Sequence, residues 1–165
     1  MSEPSPYSLS RCFSQLIGRK VTFVQSTLTL DMKIRQMYGI YALLPYEFAI
    51  VVKADLPLLG SLAGALVGLP DSAVKEHLRA NPLEELMRDA ICEVLNIASA
   101  AVTTEGRAVF KKLVADPAAI DGVAGKVFQK PDHRSYFTVS IDGYQGGRFT
   151  ILSPFVSIKL NPLKR

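Results

Sequence analysis

Residues 81–103 constrain this chain more than any other stretch. Leu83, Leu86, Met87, Ala90, Ile91, Val94, Leu95, Ala98 and Ala101 recur at helical spacing and form one broad apolar face. Asn81 is placed to cap, Pro82 suits the first helical position, and Glu84 follows three residues after the cap, as in a capping box. The pattern predicts a helix running to about Thr103 and ending near Gly106.

The opposite side of this helix is polar. Glu85, Asp89 and Glu93 are spaced i, i+4, i+8, and Asn96 lies three residues beyond. At 3.6 residues per turn these four fall within an arc of roughly 80°. Like charges four apart are mutually unfavourable by a few tenths of a kcal/mol, and only Arg88, three residues after Glu85, is placed to offset them. An amphipathic helix needs a solvated face, and acids are common there. Asn96 is the odd member, because Asn competes for backbone hydrogen bonds inside a helix.

A helix with so broad an apolar face needs an apolar partner. Residues 36–44 and 47–53 are β-branched and aromatic runs parted by Pro45-Tyr46, which predicts a hairpin with one face well buried. Residues 20–25 alternate as a strand, and Leu9, Cys12, Phe13, Leu16 and Ile17 place a short helix over 8–17, stopped by Gly18. Asp55 opens a further helix with Pro57 in its first turn, running to about Leu66 and ending at Gly68 and Pro70. Its small residues Gly60, Ala63 and Gly64 allow close packing against a neighbour. Residues 71–78 add a short helical turn. Strands are expected at 109–114, 135–141, 148–152 and 156–160, with a turn through Asp142-Gly143, and 121–134 reads as a loop or irregular excursion around Gly122, Gly125 and Pro131. Together these predict a single α/β (α+β) domain over 1–165, a mainly antiparallel sheet packed with two long helices, with 1–7 as a flexible N-terminal tail.

Composition narrows the function. The net charge of +4 is spread along the chain, with local clusters at Lys111-Lys112 and Lys164-Arg165. A nucleic-acid binder concentrates its cations on one element among aromatics, so that class is set aside. Cys12 and Cys92 share no motif, and with His77 and His133 they show no metal-ligand spacing. The start lacks the basic-then-apolar pattern of a secretory signal, and the longest apolar run is interrupted by Pro57, Gly60, Gly64 and Gly68, so a cytoplasmic protein is expected. Neither a Ser/His/Asp nor a Cys/His arrangement is visible, nor a phosphate-binding loop. A carboxylate on the polar stripe could pair with a lysine of another molecule, and a carboxamide could hold and orient a water.

Asp89-x3-Glu93-x2-Asn96, followed by Pro117 after a strand, resembles the signature of the CheC/CheX/FliY chemotaxis phosphatases. The order of elements over about 39–152 is similar to the single-motif CheX type: a strand pair, the 56–69 helix, a short connection, the motif helix and terminal strands. Ser99-Ala100-Ala101 stands where such proteins carry a small motif such as Gly-Asn. The resemblance implies a phosphatase acting on a phosphorylated CheY-like response regulator. Its motif Asn enters the regulator's active site and orients the attacking water, and its motif Glu pairs with the regulator's Lys. Mg²⁺ and the phospho-aspartate belong to the regulator, so no cofactor of its own is implied. Carried over by position, Asn96 and Glu93 are the catalytic pair. Asp89 takes the first motif position in support, with Glu85 beside it on the partner-binding face. The resemblance also implies a possible homodimer through a strand edge. Two alternatives remain at this point: a non-catalytic module of the same fold that docks a receiver or flagellar-switch component, and a structural homodimer whose stripe is only solvated surface.

Overall fold

The hairpin expected from the two apolar runs forms the middle of the sheet. In the computed structural model, which describes residues 4–27 and 33–154, β2 (Gln36–Leu44) pairs antiparallel with β3 (Phe48–Asp55), from Gln36 opposite Asp55 to Leu43 opposite Phe48. Adding β1 (Val21–Gln25), β4 (Arg107–Val114), β5 (His133–Ile141) and β6 (Tyr144–Ser153) completes a six-stranded antiparallel sheet, ordered β1-β5-β6-β3-β2-β4. Gly143, at φ 85°, supplies the left-handed residue that lets β5 turn directly into β6. The strand expected at 156–160 lies outside the described residues.

One face of the sheet carries α1 (Pro6–Ile17), α2 (Leu56–Val67) and α4 (Glu85–Ile97), with the short α3 (Asp71–His77) against α2. Leu9, Phe13, Phe23, Tyr41, Ile50, Leu59, Leu62, Ile91, Leu95, Phe137 and Phe149 are among the residues of this main core. The expectation of two long helices becomes three of nearly equal length. Helix α1 starts at Pro6, with Ser5 capping it through the Ser8 N–H, so Pro6 and Tyr7 belong to the helix rather than to the expected 1–7 tail. The small residues of α2 work as expected: a Cβ at Gly60 would lie 2.6 Å from Leu78 Cδ1, and one at Gly64 would collide with Val74 Cγ2.

The 121–134 excursion is a correction. Residues Gly122–Gln129 form a helix, α5, on the opposite face of the sheet, where Ala124 and Val127 bury against Tyr38, Ile40, Ala49, Val51 and Leu152. Two glycines in eight residues mask its spacing, and burial outweighs their poor helix propensity. Gly125 also has a packing role, because a Cβ there would sit 2.9 Å from the Ile120 carbonyl oxygen.

Both sheet ends are managed. At β1, Ser14 Oγ accepts from Val21 N at 2.9 Å and donates to Val21 O at 3.1 Å, and Ser10 Oγ accepts from Phe23 N at 2.8 Å. Hydroxyls of α1 therefore cover that backbone edge. At β4 the register shifts opposite Ile40/Tyr41, leaving Lys111 as the extra residue beside Lys112. A bulge and charged side chains discourage strand addition there.

Candidate functional site

The motif helix is shorter than its apolar periodicity predicts. It begins at Glu85, not at Pro82, and Glu84 at the N-cap makes no side-chain cap. The expected capping box does not form. Glu84 instead meets His77 Nδ1 at 2.7 Å, and Asn81 Oδ1 accepts from Arg35 Nη2 at 3.5 Å. Asp55 behaves similarly: it stands at the N-cap of α2, but its carboxylate turns to Arg148 N at 2.8 Å, to the Arg148 guanidinium and to Gln36 Nε2. Charge-assisted partners are stronger than a cap and win the competition.

The C-terminal end of α4 matters most. The α-helix stops at Ile97 and tightens into a 3-10 turn over Ala98–Ala100. Asn96 therefore lies in the last turn rather than deep in the helix, where its low helix propensity costs little. The residue before it is held from two sides. Leu95 packs into the notch at Gly39, where a Cβ would lie 3.1 Å from Leu95 Cδ1. Its carbonyl oxygen accepts a 2.6 Å hydrogen bond from the buried Tyr41 hydroxyl. Two turns back, Arg88 Nη2 reaches the Leu113 carbonyl of β4 at 2.8 Å. These contacts set the rotation of α4 about its axis, and with it the direction of the polar stripe.

Glu85, Asp89, Glu93 and Asn96 are all exposed on that stripe. With Arg88 turned to β4, no ion pair among the described residues joins Glu85, Asp89 or Glu93. The Asn96 carboxamide likewise has no hydrogen-bond partner among the described residues. Glu93 and Asn96 are one turn apart, a rise of about 4.5 Å. The arrangement thus offers an unpaired carboxylate and a free donor–acceptor amide, side by side on a fixed element. Leu86, counted with the apolar face by spacing, is 70% exposed at the border of the stripe, and Ile97 is 41% exposed. Cys92 borders the stripe from its other side. Burial pushes its thiol up, Arg88 opposes that, and Asp89 adds to it. No group of three or more His, Cys, Asp or Glu among the described residues could hold a metal.

Beyond Asn96 a cavity of about 440 Å³ opens between the end of α4 and the start of β4. Asn96, Ser99, Thr103 and Arg107 line it. Linear spacing gives no sign of this cavity, since β4 enters only through the sheet.

No protein-family model matches the chain, and no curated protein does. Solved structures do. FliY of Thermotoga maritima aligns with a TM-score of 0.59 at 17% identity, covering 93% of this chain and 84% of that one. CheX of Vibrio vulnificus aligns at 0.51 and 11% identity, covering 89% and 94%. The chain has the CheC/CheX/FliY fold. FliM from a FliM-SpeE complex of H. pylori also aligns, with a TM-score of 0.62 at 12% identity, covering 93% and 84%. At such identities the likeness is one of fold, so residues rather than architecture must decide what this surface does. Among the described residues no helix is long and apolar enough to cross a membrane.

Proposed function

We propose that this chain is a cytoplasmic, CheX-like phosphatase that accelerates hydrolysis of the aspartyl phosphate on a CheY-type response regulator. The observation that carries the reading is the pairing of exposed Glu93 with the unpartnered Asn96 carboxamide on a helix fixed by Leu95 and Arg88. Glu93 takes the regulator's Lys, with Asp89 and Glu85 extending the acidic docking face. Asn96 enters the regulator's active site. Its Oδ1 accepts from the attacking water and its Nδ2 supports that oxygen in line with the phosphoryl group. The water oxygen bonds to phosphorus, the bond to the aspartyl oxygen breaks, the regulator's carboxylate leaves, and the water's protons depart on the inorganic phosphate. Mg²⁺ held by the regulator would neutralise the phosphoryl charge. The phosphatase contributes positioning, which is most of what phosphoryl transfer requires.

The kinetic signatures of the two residues differ. Asn96→Ala is expected to lower kcat by about a hundredfold or more with binding preserved, whereas Glu93→Ala chiefly raises KM. Equal loss of binding in both variants would refute the division of labour.

A second reading, a non-catalytic module docking a receiver or switch component, is favoured by one observation: FliM domains share the fold. A pull-down of a receiver that survives Asn96→Ala, with no effect on phosphate lifetime in the unaltered protein, would select it. A homodimer belongs to either reading. Sedimentation equilibrium tests it.

A further inference from the structure

We propose that Leu86 and Ile97, two apolar side chains exposed on α4, anchor the docked receiver by seating a partner surface in which a basic group lies among apolar side chains. The inference rests on the receiver-docking reading above and adds to it what holds the partner around Glu93.

Leu86 and Ile97 both lie within α4, about three turns and roughly 16 Å apart along its axis, with Glu93 between them. At about 100° per residue the three fall within an arc of roughly 40°. Ala90, between Leu86 and Glu93, packs into the core and closes the flank beneath them. Single exposed apolar residues are ordinary, and α1, α2 and α5 each carry one: Tyr7, Val67 and Val123. Among the described residues α4 is the one helix or strand that carries two large ones. They line up on the side that holds an unpaired carboxylate. The rotation that exposes them is fixed by the Tyr41–Leu95 and Arg88–Leu113 hydrogen bonds.

Charge selects the occupant. A second copy packed face to face would set Asp89 and Glu93 against the same acids, and an anionic lipid surface would meet them too, so both are repelled. A protein surface with a basic group between two apolar ones matches the order Leu86, Glu93, Ile97. An ion pair left in water is weak. Apolar side chains on both sides of Glu93 exclude water from the pair and bury area of their own, as the residues around an interface hot spot do. The receiver lysine assigned to Glu93 is therefore expected to stand among apolar residues. A receiver with acidic or strongly polar residues there leaves Leu86 and Ile97 facing unpaired polar groups and is rejected.

The test uses the CheY-type receivers encoded in the same genome, activated with beryllofluoride for binding and with acetyl phosphate for turnover. Leu86→Gln and Ile97→Gln are each expected to weaken receiver binding and raise KM by about five- to thirtyfold, with a much smaller change in kcat. Because both side chains are exposed, the Tm of each variant should stay within about 2 °C of the unaltered protein. The loss from Leu86→Gln should persist in about 0.5 M KCl, where a purely electrostatic effect is screened. Leu86→Met should retain most of the affinity. Val123→Gln, the same change on the opposite face of the sheet, should leave it within twofold. If both Gln variants bind as the unaltered protein does while Asn96→Ala still abolishes acceleration, the anchor proposal falls and the phosphatase reading stands. If they weaken binding but the unaltered protein never accelerates hydrolysis, the phosphatase reading falls and the anchor proposal stands. With receiver affinity unchanged, a lower Tm in the variants would place Leu86 and Ile97 against this chain itself, and loss of a dimer in sedimentation equilibrium would make the occupant a second copy. Either result overturns the assignment.

Discussion

Replacing Tyr41 with Phe removes a single oxygen from the middle of the molecule, and its effect can be worked from the contacts. Tyr41 is fully buried and donates to the Leu95 carbonyl at 2.6 Å. Burial pushes its phenol far up, with Cys12 adding to the effect, so the hydroxyl remains a neutral donor at working pH. Leu95 lies two residues before α4 ends at Ile97, among the last four carbonyls that an α-helix leaves without its own partners. Phe keeps the ring, which packs edge-on to Phe110 with centroids 5.4 Å apart, so the loss is confined to the hydrogen bond. A buried carbonyl left unsatisfied costs about 1–3 kcal/mol. For a domain of this size each kcal/mol moves Tm by about 2–4 °C. Urea unfolding followed by circular dichroism should show a lower midpoint with an unchanged m-value. Because Leu95 immediately precedes Asn96, the proposed turnover should fall in kcat more than it rises in KM. A destabilisation below about 0.5 kcal/mol would refute the claim that this bond ties down the last turn, since the carbonyl would then have another partner.

Gly64→Ala places a methyl group against Val74 Cγ2, and overpacking of about 1–3 kcal/mol outweighs the roughly 1 kcal/mol gained in helix propensity, so thermal melting should show net destabilisation. Asp55→Ala strips the acceptor from the Arg148 backbone, the Arg148 guanidinium and Gln36 in a nearly closed site, and a loss of about 2–4 kcal/mol is expected in chemical denaturation. Cys12 and Cys92 both have thiols raised by burial, so iodoacetamide should modify them slowly at neutral pH and faster as the pH rises past the ordinary thiol range.

Much of the fold is visible in residue pattern, and the misses have physical causes. The β2–β3 hairpin is legible because two apolar runs flank one turn, and α2 because Pro57 and Gly68 mark its ends. The start of α4 is misplaced because Asn81 and Glu84 find tertiary partners in Arg35 and His77, which no local capping rule contains. Helix α5 is hidden by Gly122, whose φ of 61° is left-handed, and by Gly125, which the close approach of the Ile120 carbonyl requires. At the site, periodicity places Glu85, Asp89, Glu93 and Asn96 on one exposed face, as found. It misjudges Arg88, whose guanidinium goes to Leu113 on β4, and it gives no view of the cavity after Asn96, which forms only where sheet topology brings β4 beside the end of α4.

The most direct test of the proposed chemistry is the lifetime of the aspartyl phosphate on a cognate receiver in Mg²⁺, with and without this protein and its Asn96→Ala variant. Substoichiometric unaltered protein is expected to shorten that lifetime by tenfold or more on the order of magnitude usual for a positioned water, with Asn96→Ala returning it to the unassisted value. A lifetime unchanged for every receiver of the same genome would contradict the phosphatase reading and leave Glu93 and Asn96 as docking residues.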